Sequence, residues 1–552
     1  MTQHSVAPPR YFQRHWQWWF TLAVLALVAA VRVRLLDFPL ERDEGEYAYA
    51  GQLMLQGIPP YELAYNMKFP GTYAAYALIM WLFGETPAGI HFGVMCVTTL
   101  TALMLYRLGK KMLDATAGMV AATCFAVLAA SPSMLGLAGH ATHFAAFFAT
   151  AGLCLMWQFR RKADWRTAAG AGVMFGFAIL MKQPAALIGL WAGIALVASR
   201  FRQNQLSVGK RLLEIFAFGA GILLPFGLCC LILWRAGVLG KFWFWTIDYA
   251  RQYVSIVPLA YAPTFFWLQF SEVISKTYLL WLIAFAGLAL VWFDERLLKT
   301  RLWLLGFCLA SALTTCPGFY FRLHYFLLAL PAVTLLAGCA VSVSRQLWGQ
   351  RAGVSQIGAW PVWGYALILA ATILANGGIW FVLTPAQASR TIYGLHPFAE
   401  AETVAAFIRT NSAPDARVAV LGSEPEIYFL SRRHSATGYI YTFPLMEPQP
   451  FARQMQNEMI REIENATPEI IVYASSWMRR PNSDPHIFEW WASYQTNYAL
   501  AGIADVISPA ETRYAWGAAA ARYAQDVSNG LEVYQRKTAA NGASQKTRPE
   551  SP

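Results

Sequence analysis

The chain has 552 residues, 57% hydrophobic and 13% charged, with a mean hydropathy of +0.38, a composition that excludes an ordinary soluble domain or a disordered chain and describes a membrane protein. Its 22 Trp, 25 Tyr and 35 Phe suit many membrane–water boundaries, where amphipathic rings settle. The formal charge of +12 does not point to nucleic acid, because the basic residues lie in short loops between apolar runs rather than in one stripe.

Residues 1–17 are polar and the run that follows has no convincing small-residue cleavage site, so the first span reads as a retained anchor. Apolar runs near the twenty residues needed to cross a bilayer fall at about 17–36, 88–106, 115–133, 140–159, 167–181, 184–199, 212–234, 275–293, 302–317, 324–343 and 362–383. This predicts an eleven-span helical membrane region over 1–383. Loop charge then sets the sides. Arg10 and Arg14, Lys110 and Lys111, Arg160 to Lys162, Arg200 and Arg202, Arg296 and Lys299, and Arg345 fall together, and the positive-inside rule makes that side cytoplasmic, with the N-terminus. Lys68, Lys182, Arg251 and Arg322 fall on the outer side. The eight cysteines lie in or beside apolar runs, and their spacing suggests neither a disulfide framework nor a zinc motif.

Between the first two spans, an outer loop over 37–86 opens with Asp43-Glu44-Gly45-Glu46-Tyr47. A helix over 43–56 would place Asp43, Glu46, Tyr47 and Ala50 on one face and would lie along the membrane surface. A second apolar helix is expected over 69–83 at the interface. Charge near lipid is costly and favours a chemical role for the acids, although first-turn acids also serve a helix dipole.

After 384 the composition turns soluble, and an odd span count puts this part outside. Strands are expected at Arg417–Leu421, at 469–474 and at 531–536, a short helix after Glu424, and a helix over 451–465. Together these make a small extracytoplasmic α/β domain over 384–537, with 538–552 reading as a disordered tail. The segment from Val418 to Glu424 lacks a G-x-G-x-x-G fingerprint, so no nucleotide site follows from it.

The stretch Arg42-Asp43-Glu44-Gly45-Glu46-Tyr47-Ala48-Tyr49, followed by Asn66-Met67-Lys68-Phe69-Pro70-Gly71-Thr72-Tyr73, resembles the first outer loop of GT-C glycosyltransferases. The resemblance is nearest to family 39, which holds the protein O-mannosyltransferases and the bacterial lipid A aminoarabinose transferases. Asp43 and Glu44 match the family's acidic pair, and Lys68 with Pro70 matches its Lys-Pro-Pro-like element in a looser form. Leu180-Met181-Lys182-Gln183-Pro184 and Tyr320-Phe321-Arg322-Leu323-His324-Tyr325-Phe326 also fit, over a resemblance spanning roughly 17–345. One departure is Gly139-His140-Ala141-Thr142-His143-Phe144, where histidine stands in place of a further acid. His143 could bond an acceptor or take a proton, or could simply bond a helix backbone.

The resemblance implies a bacterial inner-membrane enzyme that moves a sugar from a polyprenyl-phosphate donor to a lipid, glycan or protein acceptor at the outer leaflet, with inversion. Asp43 would take the acceptor proton and Glu44 would support it. Cations at Lys68, Lys182, Arg251 and Arg322, with His324 and Tyr325, would meet the departing phosphate. Glu46, His140, His143, Tyr249 and Tyr253 are candidate acceptor or sugar contacts. Snorkelling is the plain alternative for Lys68, Lys182, Arg251 and Arg322, and aromatic belts for the tyrosines. No obligatory metal is expected, although Asp43 and Glu44 could hold Mg²⁺ or Mn²⁺. A transporter or lipid flippase is the rival, disfavoured because the charges gather at one face and no repeat is evident. A tail domain acting as a glycan-binding module on a membrane anchor ranks last.

Overall fold

The structure, a computed structural model, describes residues 10–161, 163–202, 207–352, 359–474, 483–523, 527 and 529–537. The expected tail at 538–552 lies outside the described residues.

Among the described residues nine α-helices come first: α1 (Arg10–Arg34), α2 (Arg42–Leu55), α3 (Gly71–Phe83), α4 (Pro87–Met112), α5 (Ala115–Leu128), α6 (Ala141–Arg161), α7 (Trp165–Met181), α8 (Ala186–Phe201) and α9 (Val208–Arg235). Local chemistry sets their starts. The Thr86 hydroxyl accepts from Gly89 N with Pro87 at the first position of α4, and the Asp114 carboxylate accepts from Ala117 N at the head of α5. Small residues let the helices approach closely. A side chain at Gly172 or Gly176 of α7 would strike the backbone of α9, and one at Gly109 of α4 would strike Gly118 of α5.

Every segment expected to span is helical, yet among the described residues length and composition qualify five helices to cross a bilayer: His15–Arg34, Pro87–Met112, Gln183–Phe201, Val208–Arg235 and Leu323–Gly349. The pair Leu259–Ile274 and Tyr278–Leu290, bent by 114°, would make a sixth. Others, such as Ala115–Leu128 and Trp165–Met181, are apolar but shorter. These helices make the chain an integral membrane protein, and the eleven expected segments stand as helices rather than as eleven demonstrated crossings.

The loops sort into two sets. At one end Arg296 pairs with Asp114 at 3.1 Å, the Ser342 hydroxyl donates to Asp114, Arg345 donates to Thr116, and Arg160 donates to the Lys299 carbonyl. All of these lie at the end rich in basic loops. The segments carrying Asp43, Lys68, His140, Lys182 and Arg322 meet at the other end, around one cavity.

Helix α2 departs from its expected surface position. Ten of its fourteen residues are buried, because α3 packs on one side and the tail helix Glu426–Ser431 on the other. That contact is so close that a side chain at Gly45 would collide with the Glu426 backbone. Helix α3 keeps its lipid-facing aspect, with Leu78, Trp81 and Leu82 exposed.

The tail folds around a six-stranded sheet: β1 (Arg417–Leu421), β2 (His434–Ser435), β3 (Ile470–Ala474), β4 (Tyr498–Ser508), β5 (Glu511–Trp516) and β6 (Gly530–Arg536), in the order β2-β1-β3-β6-β4-β5. β1 runs parallel to β2 and β3, and the remaining pairs are antiparallel. β1 and β3 are near-continuous apolar strands buried on both faces, which is why the sequence shows them. β4 and β5 escape notice because Gly502, Asp505 and a bulge near Gly502 break the alternation.

Candidate functional site

A cavity of about 370 Å³ lies between the helical bundle and the tail domain. It is lined by Asp43, Lys68, His140, Lys182, Tyr249, Tyr253, Arg322, His324 and Tyr325, all singled out in the sequence.

Asp43 reaches it from the first turn of α2, which Glu41 caps by accepting from Glu44 N at 3.1 Å. Asp43 and Glu46 are three residues apart and share one face. Lys68 Nζ donates to Asp43 Oδ1 at 2.9 Å and to Glu46 Oε2 at 2.6 Å, and sits 4.6 Å from the centre of the Tyr47 ring. His140 Nδ1 and His324 Nε2 stand 3.8 and 3.9 Å from Asp43 Oδ2, their rings stacked with centroids 4.2 Å apart. Burial would lift the Asp43 carboxyl, but Lys68, His324 and His140 outweigh it and hold the group well below the usual range. Glu41 moves the other way, pushed well up by burial and by the charges of Asp43 and Glu44. The two carboxyls of the cavity are therefore shifted in opposite directions, Asp43 down by the cations beside it and Glu41 up by burial and neighbouring charge.

On the opposite wall, Lys182 Nζ lies 4.2 Å from the Tyr325 ring centre, and Arg322 Nη2 donates to Tyr253 Oη at 3.4 Å. Neither forms an ion pair among the described residues. Burial presses the Lys182 ammonium down to about 7, only partly offset by Asp43. Arg322 moves up despite burial, through the tyrosines around it. The cavity thus carries two cations without a carboxylate partner on one side and an ionised Asp on the other, an arrangement able to hold a phosphate and orient a nucleophile at once.

Four expected contacts lie elsewhere. Glu44 turns into the core, since consecutive helical side chains point about 100° apart: its Oε1 accepts from Gly139 N at 2.5 Å and meets His91 Nε2 at 3.0 Å. Among the described residues, Glu44 is not one of those whose ligand atoms converge with Asp43. Glu46 is fully buried between Lys68 and the Tyr73 hydroxyl, which donates to it at 2.5 Å. His143 is buried with Nε2 3.4 Å from the Ala129 carbonyl, one helical turn below the cavity that His140 lines. Arg251 is exposed and does not line the cavity, because Ala250–Val254 presents Tyr253 inward. Among the described residues, the group able to hold a metal is Asp43, His140 and His324, whose ligand atoms lie within 4.8 Å of one another.

The sequence reading passed over Glu41, Asn66, Gln269, Tyr393, Tyr441 and Phe443, which also line the cavity. Glu41 immediately precedes the acidic stretch, and Asn66 opens the stretch that carries Lys68. Gln269 carried no signal, and Tyr393, Tyr441 and Phe443 come from the tail, more than 300 residues beyond Asp43.

The family model described as dolichyl-phosphate-mannose-protein mannosyltransferase matches residues 68–228. Over 170 residues the chain is 30% identical to the undecaprenyl phosphate-alpha-4-amino-4-deoxy-L-arabinose arabinosyl transferase of Edwardsiella ictaluri, a match of 29% of this chain that spans only 30% of that relative's length. The fold resembles ArnT from Cupriavidus metallidurans, crystallised with undecaprenyl phosphate, at a TM-score of 0.57 and 16% identity over 94% of this chain and 98% of that one. It also resembles the Archaeoglobus fulgidus oligosaccharyltransferase tethered with an acceptor peptide, at a TM-score of 0.53 and 15% identity over 92% and 75%. The likeness, expected from several stretches between about 17 and 345, extends over most of the chain, whose fold is shared with these two structures.

Proposed function

We propose that this protein is a membrane glycosyltransferase that moves a sugar from a polyprenyl-phosphate donor to a cell-envelope acceptor, with inversion, at the outer leaflet of a bacterial inner membrane. The observation that carries this reading is the cavity itself, where ionised Asp43 faces Lys182 and Arg322 across a space of about 370 Å³. The two solved relatives named above were crystallised with undecaprenyl phosphate and with a tethered acceptor peptide, which supports a lipid-phosphate donor and leaves lipid, glycan and protein as candidate acceptors.

In this mechanism the donor's phosphate diester lies against Lys182 and Arg322, with His324 and Tyr325 beside it. The acceptor's hydroxyl or amine approaches the anomeric carbon from the Asp43 side. As the new bond forms, the anomeric C–O bond breaks and its electron pair leaves with the phosphate, whose charge grows from one to two negative. The cations stabilise that growth. Asp43 accepts the hydrogen bond, and then the proton, of the attacking group; assistance of this kind is typically worth about 10² to 10⁴ in rate. Lys68 holds Asp43 ionised and in place. Because the acid is held low, its grip on the proton is weak, so orientation of the acceptor is a large part of its contribution. These residues supply charge stabilisation without a metal.

The positive-inside bias of the loops supports an outer position for the cavity and the tail domain. The test is transfer by the purified chain in proteoliposomes, with polyprenyl-phosphate sugars as donors and mass spectrometry of the lipid product. Release of free polyprenyl phosphate together with a glycosylated acceptor is expected. Vectorial movement of intact donor across the bilayer without sugar transfer would replace this reading with a flippase.

A further inference from the structure

The tail domain does more than cover the cavity. Its segment over 437–441 reaches between the two parts of the first loop that carry Asp43 and Lys68. Gly438 O accepts from Tyr65 N at 2.7 Å, and a Cβ at Gly438 would run into the Tyr65 ring. That ring has nowhere to go: Trp245 stacks on it with centroids 5.7 Å apart, Tyr439 meets it edge-on at 5.1 Å, and Lys241 lies 4.7 Å above it. Its hydroxyl donates to Glu462 Oε1 at 2.9 Å and accepts from Lys241 Nζ at 2.8 Å. Glu462 Oε2 in turn accepts from Thr437 Oγ1 and Gly438 N. Three residues beyond Tyr65 stands Lys68, its carbonyl held by the Tyr61 hydroxyl at 2.7 Å. At the other end of the segment, the Tyr441 hydroxyl donates to the Arg42 carbonyl at 2.8 Å, immediately before Asp43, and its ring lines the cavity.

We propose that the segment Thr437–Tyr441 of the tail domain is the positioning element of the Asp43–Lys68 pair, fixing Lys68 through Tyr65 and Asp43 through the Arg42 carbonyl. The inference rests on the transferase reading for its kinetic consequence, but its structural consequence stands apart from any substrate. The two parts of the first loop, already joined by the Lys68–Asp43 ion pair, share a common support in the tail. The tail domain is then part of the site rather than a separable binding module.

The test uses the full chain in lipid nanodiscs with Gly438→Ala and Tyr441→Phe. The first forces Tyr65 away from the tail; the second removes one hydroxyl and keeps the ring. Three quantities are measured: deuterium uptake over 61–69, the rate at which an amine-reactive ester acylates Lys68, and the pH profile of kcat for transfer. Gly438→Ala is expected to raise uptake over 61–69 and Lys68 acylation while uptake in α5 stays at the wild-type level. Tyr441→Phe is expected to lower kcat roughly tenfold or more through misplacement of Asp43, and to shift the acid limb of the profile, with little change in donor KM. Wild-type acylation and an unchanged pH profile in both variants overturn the proposal, as does a general loosening of the tail that leaves Lys68 acylation unaltered. Should the wild-type chain transfer no sugar, the proposed function falls, while uptake and acylation still decide the positioning role.

Discussion

Lys68 Nζ lies 2.9 Å from Asp43 Oδ1, an ion pair that joins two halves of one loop across the mouth of a cavity. Glu46 shares the same ammonium at 2.6 Å. Lys68 is therefore committed to carboxylates, and the phosphate of a lipid donor falls to Lys182 and Arg322. This divides the basic residues into one that sets the acid's charge and two that meet the leaving group.

Asp43→Asn keeps the size of the side chain and removes the proton acceptor. Transfer is expected to fall by about 10² to 10⁴, while Lys68 retains Glu46 as a partner and the folded yield is maintained. Initial rates in proteoliposomes, alongside thermal unfolding in detergent, check both halves. Transfer near the wild-type rate would remove Asp43 from the base role.

Lys182 gives the site a signature in pH. Its ammonium is pressed down to about 7, by burial first and then by Lys68 and Arg322, against the pull of Asp43. A lysine so lowered is charged below that pH and loses its charge as pH rises through it. Donor capture, read as kcat/KM, should therefore decline above about 7. A bound phosphate restores the proton, so kcat at saturating donor should stay level over the same range. In Lys182→Arg the alkaline decline should vanish, since guanidinium stays protonated. Michaelis profiles at several pH values decide the matter, and a wild-type kcat/KM that is flat through neutrality counts against it.

The acidic pair should separate in mutagenesis. Glu44→Ala leaves the Gly139 N–H buried without its acceptor and should cost about 1–3 kcal/mol of stability, whereas Glu44→Gln keeps an oxygen there and should cost less. Neither should move the acid limb of the pH profile, because Glu44 does not reach the cavity. Denaturation midpoints and pH profiles on the same preparations distinguish this from a direct chemical role.

Arg322 and Arg251 were both phosphate candidates in the sequence and should differ in function. Arg322→Ala removes a charged donor from the cavity wall and should raise donor KM roughly tenfold or more. Arg251→Ala, at an exposed position, should stay within about twofold. Donor titrations of both variants suffice, and a matching loss at Arg251 would place the phosphate elsewhere.

Chelation tests the metal-free chemistry. Transfer should persist after dialysis against EDTA, because two cations already face the leaving phosphate. Loss of activity that Mn²⁺ or Mg²⁺ restores would assign a metal to Asp43, His140 and His324, the group whose ligand atoms converge. His140→Ala would then be expected to lose the rescue.

Much of this architecture was legible in the chain. Apolar runs near the length of a bilayer fixed where helices form, and the bias of Lys and Arg in the intervening loops grouped Asp43, Lys68, Lys182 and Arg322 together. Both signals are local, since the cost of burying a charge or an unpaired peptide in lipid acts on each segment by itself. Directions within that end were not local. Asp43 and Glu44 are neighbours in sequence, yet a helix turns one into the cavity and the other onto the Gly139 amide. Only the packing of α2 between α3 and the tail decides which goes where. Arg251 looked like a phosphate ligand until its helix presented Tyr253 instead. Tyr441 and Gly438 carried no signal at all, because their importance arises from contact with residues nearly 400 positions away, where close packing of tertiary structure brings chain segments together that no periodicity or charge pattern connects.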